Sequence, residues 1–279
     1  MRKGRFLPIY TAAVIAYLFL PVAVMILFGF NDYRGRFNFT WEGFTLRWYR
    51  DILDFPDLTL ALKNSLTIAG ISTLIATILG TLVALALTRY RFRGRSAMNL
   101  FVFVPMASPE VVLGASLLSL FVTLNLGRGF TTIVIAHIMF SISYVVVTVK
   151  ARTSNFDVNL EDAAQDLGAS PWVTFWTVTF PLIFPGILAA GMLAAVLSID
   201  DYVITSFNAG GTTTLPLWIF GASRIGVPAQ VNVMGTLIFM VGVVYVVVSL
   251  VRAARAERPA PRVARRLGVR SPQEVTVRQ

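Results

Sequence analysis

The chain contains no cysteine, one histidine (His137) and three lysines, Lys3, Lys63 and Lys150. Without cysteine there are no disulfides and no thiolate metal sites. A lone histidine inside an apolar run forms no histidine cluster for a metal. It also supplies no convergent catalytic set of the kind an integral membrane enzyme needs. None of the lysines follows a glycine, so the Gly-x-x-x-x-Gly-Lys-Ser/Thr phosphate loop is missing. ATP is not bound through that motif, and any ATP-driven work must come from a partner. Charge is scarce as well: 14% of the 279 residues are charged, against about 25% in a soluble domain.

What is there is grease. Hydrophobic residues make up 56% of the sequence, and the mean hydropathy is +0.72. Six apolar runs, Leu7–Phe30, Leu66–Leu87, Leu100–Leu120, Thr131–Val149, Leu182–Ile199 and Val231–Val251, each approach the ~20 residues that cross a bilayer as helix. Backbone polar groups must be satisfied inside lipid, so these runs are helices. The fold class is an all-α polytopic membrane protein with six transmembrane helices. The first run is too long for a signal-peptide core and lacks a clear small-residue cleavage site, so it is read as a retained anchor.

The net charge of +10 does not require nucleic acid, because membrane proteins concentrate Lys and Arg in cytoplasmic loops. With both termini in the cytoplasm, seventeen basic residues fall inside: Arg2, Lys3, Arg5, Arg89, Arg91, Arg93, Arg95, Lys150, Arg152 and eight arginines after Val251. Seven fall outside: Arg34, Arg36, Arg47, Arg50, Lys63, Arg128 and Arg224. The split predicts both termini inside. Three regions follow: 1–60, an anchor and outer segment; 61–252, a core with a cytoplasmic loop at 152–181; and 253–279, a basic tail. The tail, rich in Arg and Pro, cannot bury a core and is expected to be disordered. It serves topology or rests on anionic lipid. The outer aromatics Tyr33, Trp41, Trp48 and Tyr49 are read as interfacial anchors or as part of a docking surface for an external partner.

One segment is soluble in character: "EDAAQDLGASPWVTFWTVTFP", residues 161–181. Leu160, Ala163, Ala164 and Leu167 fall at i, i+3, i+4 and i+7, one apolar stripe of a short helix. Asn159 is the expected N-cap, with Glu161 and Asp162 in the first turn, where the helix dipole favours acids. Gly168 suits the left-handed position that ends a helix. Ser170-Pro171 then caps and starts another. Helices that rest on lipid prefer basic polar faces and bulky apolar ones. This acidic, small-faced helix suits a protein groove better.

The segment resembles the "EAA" cytoplasmic loop of permease subunits in bacterial ATP-binding cassette importers, with Asp162-Ala163-Ala164, Gly168 and Phe180-Pro181 in place of the motif. The leading acid is Asp162 rather than Glu, with Glu161 just before it. "WEGFTLRWYRDIL", "LKNSL", "PMASPEVVLGASLL", "LSIDDYVITSF" and "TTTLPLWIF" are similar to the smaller permease of spermidine/putrescine importers. The resemblance implies the type I importer permease architecture and a multi-pass place in the bacterial inner membrane. It implies a second permease, two copies of a cytosolic ATPase and an extracytoplasmic solute-binding protein as partners, besides lipid. It also implies that no cofactor is bound by this chain, ATP and magnesium being used by the partner. Leu160, Glu161, Asp162, Ala163, Ala164, Leu167 and Gly168 would then form the coupling helix that seats on the ATPase.

Three acids lie in or at the ends of spans. Glu110 sits between Pro109 and Gly114 in a span expected to be broken, and Asp200 and Asp201 end the fifth. Intramembrane carboxylates usually face cavities. Two readings stand: structural bonds and a wet helix end, or a path for a polycation. In the second, Tyr202, Phe207 and Trp218 would hold ammonium groups by cation–π contact. His137 is expected to bond or pack between helices. An ion-coupled secondary transporter is the alternative function, but it would show repeats and paired broken helices. The stretch after Asp201 is read as an outer loop, partly re-entrant, that could form a gate.

Overall fold

The computed structural model describes residues 6–256 other than 36, 155, 156, 158 and 227. The expected inner basic residues Arg2, Lys3 and Arg5, and Arg36 of the outer segment, lie outside the described residues. Its helices, in chain order, are α1 (Phe6–Phe28), α2 (Arg47–Arg50), α3 (Pro56–Arg89), α4 (Arg95–Ala107), α5 (Glu110–Thr123) and α6 (Phe130–Ser154). They continue with α7 (Asn159–Asp166), α8 (Pro171–Thr174), α9 (Phe180–Asp200), α10 (Val203–Asn208), α11 (Leu215–Ile225) and α12 (Ala229–Ala256). A π-helical turn, Phe175–Thr179, joins α8 to α9. The end of α12 enters the segment expected to be disordered; the rest of that tail lies outside the described residues.

Among the described residues, five helical stretches are long and apolar enough to cross a membrane: Leu7–Phe28, Pro56–Arg89, Phe130–Ser154, Pro171–Asp200 and Ala229–Arg252. The third expected span is two helices, α4 and α5, bent by 106°. Pro105 is tolerated inside α4, and the chain breaks at Ser108, whose extended backbone leads into Pro109 as the N-cap of α5. A residue before proline is pushed out of the helical region, which places the break there.

The described residues of 53–227 form one compact unit. Its centre is α3, α6 and α9. α3 buries Ala69, Ser72, Ala76, Gly80 and Ala84 along one side, and α9 buries Gly186, Ala190, Ala194 and Ser198 at four-residue spacing. Lipid tails are as apolar as leucine, so helices in a bilayer associate through close packing, which small residues permit. A Cβ added at Gly80 would lie 2.6 Å from Val145 Cγ1. Leu87, Val145, Val146 and Val149 fill the space beside this ridge.

The stretch after Asp201 forms two short helices tied into the same unit. Buried Asn208 donates to the Ile204 carbonyl at 2.8 Å, and its own carbonyl accepts from Thr132 Oγ1 at 2.9 Å. Leu215 N donates to Ser65 Oγ at 2.8 Å, and Asn64 Nδ2 to the Thr213 carbonyl at 2.9 Å. The chain between α10 and α11 is thus fastened to α3 and α6 at several points.

The described residues of 1–52 and 228–279 form a second unit. Here Asn31 organises the segment that follows α1: its Nδ2 donates to Asn38 Oδ1 and to the Thr40 carbonyl, both at 2.6 Å, and its Oδ1 accepts from Glu42 N at 2.7 Å. Trp48 Nε1 donates to the Asn31 carbonyl at 2.9 Å, and Tyr33 packs on Trp48 with ring centroids 5.4 Å apart. Tyr49 stacks on Phe30 at 4.7 Å. Of the four expected anchors only Trp41 is exposed, beside Phe37, Phe39 and Phe44. The other three build the loop.

Two glycines on α3 test the packing argument. Gly80→Ala should destabilise the protein by about 1–3 kcal/mol, the usual cost of overpacking. Gly70, with nothing within 4 Å of an added Cβ, should accept Ala with a change within about 1 kcal/mol. Thermal unfolding of both variants in detergent checks this, and equal behaviour would reject the close contact.

Candidate functional site

The acidic helix α7 forms as its sequence dictates, with one change at its start. Asp157 Oδ1, not the Asn159 side chain, accepts the first free amide: Asn159 N lies at 3.1 Å and Asn159 Nδ2 at 2.8 Å. Asn159 is the first helical residue. The expected Asn159 cap is therefore corrected to Asp157, whose carboxylate suits the positive helix end. At the other end Gly168 adopts φ +92°. Gly168 N donates to the Gln165 carbonyl at 2.8 Å and Ala169 N to the Ala164 carbonyl at 3.1 Å. This pair of bonds is the Schellman closure, which requires the left-handed residue. Ser170 Oγ then accepts from Val173 N at 3.4 Å to open α8, with Pro171 first in the helix.

The stripe foreseen on α7 is unpartnered. Leu160 is 48% exposed and Leu167 90%; Ala163 is exposed and Ala164 half-buried. Asp162 is exposed beside them. Glu161 departs from the set: it turns inward, where its Oε1 accepts from Arg89 Nη2 and Thr179 Oγ1. Sequence reading missed both partners, because Arg89 lies 72 positions away and its basic cluster looked like a topology signal only.

The second helix, begun at Ser170-Pro171, is continuous with the fifth apolar span. Pro171–Asp200 runs as one apolar stretch of 30 residues through the π turn. Pro181 has no amide hydrogen to continue the α ladder, and the ladder widens to a π turn just before it, with Phe180 N bonding to the Phe175 carbonyl. Beside this turn lies a groove of about 600 Å³ lined by Thr77, Thr81, Tyr90, Trp172, Trp176 and Phe180.

The three acids separate cleanly. Glu110 is exposed in the first turn of α5, and Asp200 is exposed at the end of α9. Asp201 is turned into the protein with its side chain 5% exposed. Its Oδ2 accepts from Thr205 N and Thr205 Oγ1, each at 2.7 Å, and lies 3.3 Å from His137 Nε2. His137, also buried, bonds to Ser198 Oγ at 2.6 Å and Thr205 Oγ1 at 2.9 Å, and Ser198 Oγ meets Ser72 Oγ at 3.1 Å. One chain of polar contacts thus joins α3, α9, α6 and α10. The expectation that His137 bonds between helices holds. Asp201, expected as a solute-pathway candidate, is a bonded member of this network.

The aromatic candidates divide too. Phe207 packs against Gly114, where an added Cβ would sit 2.8 Å from its ring, so it takes part in the α5–α10 contact. Tyr202 packs on Phe220 with centroids 4.5 Å apart, and the Arg224 guanidinium lies 4.4 Å from the Phe220 centroid. Trp218 is half-buried on the same helix. Phe220 and Arg224 escaped sequence reading, though their i, i+4 spacing on α11 was its one available signal.

Residues 76–265 match the family described as "Binding-protein-dependent transport system inner membrane component". The chain is 39% identical over 241 residues to the spermidine/putrescine transport system permease protein PotC of Escherichia coli (strain K12), covering 86% of this chain and 90% of that one. It is 39% identical over 237 residues to the putrescine transport system permease protein PotI of the same strain, covering 82% and 84%. Among solved structures, a chain of a bacterial ABC transporter involved in the import of the acidic polysaccharide alginate superposes with TM-score 0.63 at 18% identity, over 89% of this chain and 97% of that one. That likeness concerns the fold alone. With its broken third span, its surface helix ended by a glycine and this similarity along most of its length, the chain belongs to the family of binding-protein-dependent transport system inner membrane components.

Proposed function

We propose that this chain is the permease subunit of an ATP-driven importer of polyamines of the spermidine/putrescine class. The observation that carries the substrate is the 39% identity to PotC and to PotI over more than four fifths of the chain. The chain works with a second permease, two copies of a cytosolic ATPase and an external solute-binding protein, and ATP with magnesium is handled by the ATPase. Both termini face the cytoplasm, as the seventeen-to-seven distribution of basic residues supports.

On this reading α7 is the docking helix. Leu160, Ala163, Ala164 and Leu167 present a small apolar face with Asp162 at its edge. Burying such a face in a groove is favourable, at roughly 25 cal/mol per Å² of apolar surface removed from water. The two alanines let a partner backbone approach closely. In the membrane, Glu110 and Asp200 are the carboxylates open to a passing polycation, while the Phe220 face beside Tyr202 is already taken by the Arg224 guanidinium. Asp201 supports the path from behind through His137.

Ala164→Asp would place an unpaired charge in the docking face. The expected outcome is loss of copurified ATPase, or loss of uptake with insertion intact. Normal copurification together with normal uptake would exclude the docking assignment.

The acids are separated by uptake of labelled polyamine in vesicles. Glu110→Gln and Asp200→Asn should each lower uptake, by about tenfold where the contact is desolvated, while ATPase assembly and thermal stability stay at the parental level. Asp201→Asn removes a buried charge from four contacts and should lower thermal stability as well. Parental uptake in the first two variants would make those carboxylates structural and remove this part of the reading.

Topology is checked by thiol labelling, which the absence of native cysteine makes clean. Thr40→Cys should react with an impermeant reagent in cells with a permeable outer barrier. Asp166→Cys should react only after the inner membrane is opened. The opposite pattern would invert the orientation.

A further inference from the structure

Glu161 is the member of α7 that does not belong to the docking face. Among the described residues it is the one α7 side chain bonded to a spanning stretch, through Arg89 at the end of α3 and Thr179 in the π turn that leads into α9. Leu160, Ala163 and Leu167 are exposed. C-terminally, α7 continues through Leu167, Gly168, Ala169 and Ser170, with glycine in the left-handed conformation. Without the Glu161 contact, a push on α7 could be absorbed at that short link. With it, the push enters two spans at once.

We propose that Glu161 is a positioning residue that fastens α7 to the ends of α3 and the α8–α9 stretch, so that displacement of α7 moves both spans together. The burial fits the task. The side chains of Glu161 and Arg89 are 13% and 28% exposed, so their attraction is screened far less than that of a surface pair. Arg89 also lies in the last turn of α3, where the helix dipole favours a cation. Thr179 is buried and adds a second donor to the same carboxylate oxygen. The contact ends on the π turn, a geometry found mostly as single turns at functional positions. From there α3 and α9 pass the displacement to their shared small-residue ridge.

The inference rests on α7 being the ATPase-docking helix, and the experiment keeps the two apart. Uptake per ATP hydrolysed is measured in vesicles holding the whole transporter, for Glu161→Gln, Arg89→Gln and the charge-swapped pair Glu161→Arg with Arg89→Glu. The single variants should keep copurified ATPase and hydrolysis but lose about tenfold in uptake per ATP, the scale expected when a partly buried charge is left unpaired. The swapped pair should recover most of the parental ratio. A parental ratio in the single variants, or a swapped pair no better than either one, overturns the proposal. Should the single variants insert too poorly to assay, the swapped pair alone decides: recovered coupling supports the latch and absent coupling overturns it. Failure of the docking reading has its own signature, ATPase copurification and uptake both at the parental level with Ala164→Asp, while the three latch variants would still differ in uptake per ATP.

Discussion

In a bilayer core there is no water to solvate a backbone amide or a hydroxyl, and no hydrophobic drive to press one helix on another. Both needs must be met by the chain itself. This unit meets the second with small residues: Gly80 approaches Val145 so closely that a methyl group would collide, and Gly186 does the same against Arg152 Cβ at 2.7 Å. It meets the first with continuous helices and, where the chain must break, with bonds from buried side chains. Asn208 and Thr132 hold the turn after α10, and Ser65 holds the start of α11. The rest of the structure depends on the α3–α6–α9 contact that these constraints produce.

The boundary between membrane and water is handled in a different way. A short helix exposed on one side can be stable only if its ends are closed. Asp157, the Schellman bonds at Gly168 and the Ser170 cap close α7 and start α8. The next stretch becomes a span without interruption, because a π turn accommodates the proline that an α ladder would not. A surface helix and a span are therefore separated by four residues and joined laterally by a carboxylate. Such a joint can pass on a displacement more directly than a flexible loop.

Charge in this protein obeys the same rule. A carboxylate near the membrane is costly unless it is solvated or fully bonded. Asp201 takes the second course, with Thr205, Ile204 N and His137 around it. Asp200, its neighbour in sequence, takes the first and stays exposed. The two residues differ in role because the chain leaves the helix between them, turning one side chain in and the other out.

The sequence by itself determined the all-helical, multi-pass class, through long uncharged runs that only helices can satisfy in lipid. It determined the acidic surface helix, whose 3.6-residue period, left-handed glycine and Ser-Pro start are local features. The break near Pro109 was equally local. Tertiary structure decided what local features do not encode. The sharp bend between α4 and α5 depends on what α5 packs against, namely α10 through Gly114 and Phe207. The inward turn of Asp201 depends on His137, 64 positions earlier, and that of Glu161 on Arg89, 72 positions away. Composition marks an acid as unusual in such a chain, but only the neighbours brought by folding fix whether it is bonded or open, since the energy of a charge near a membrane is set by its partners rather than by its place in the sequence.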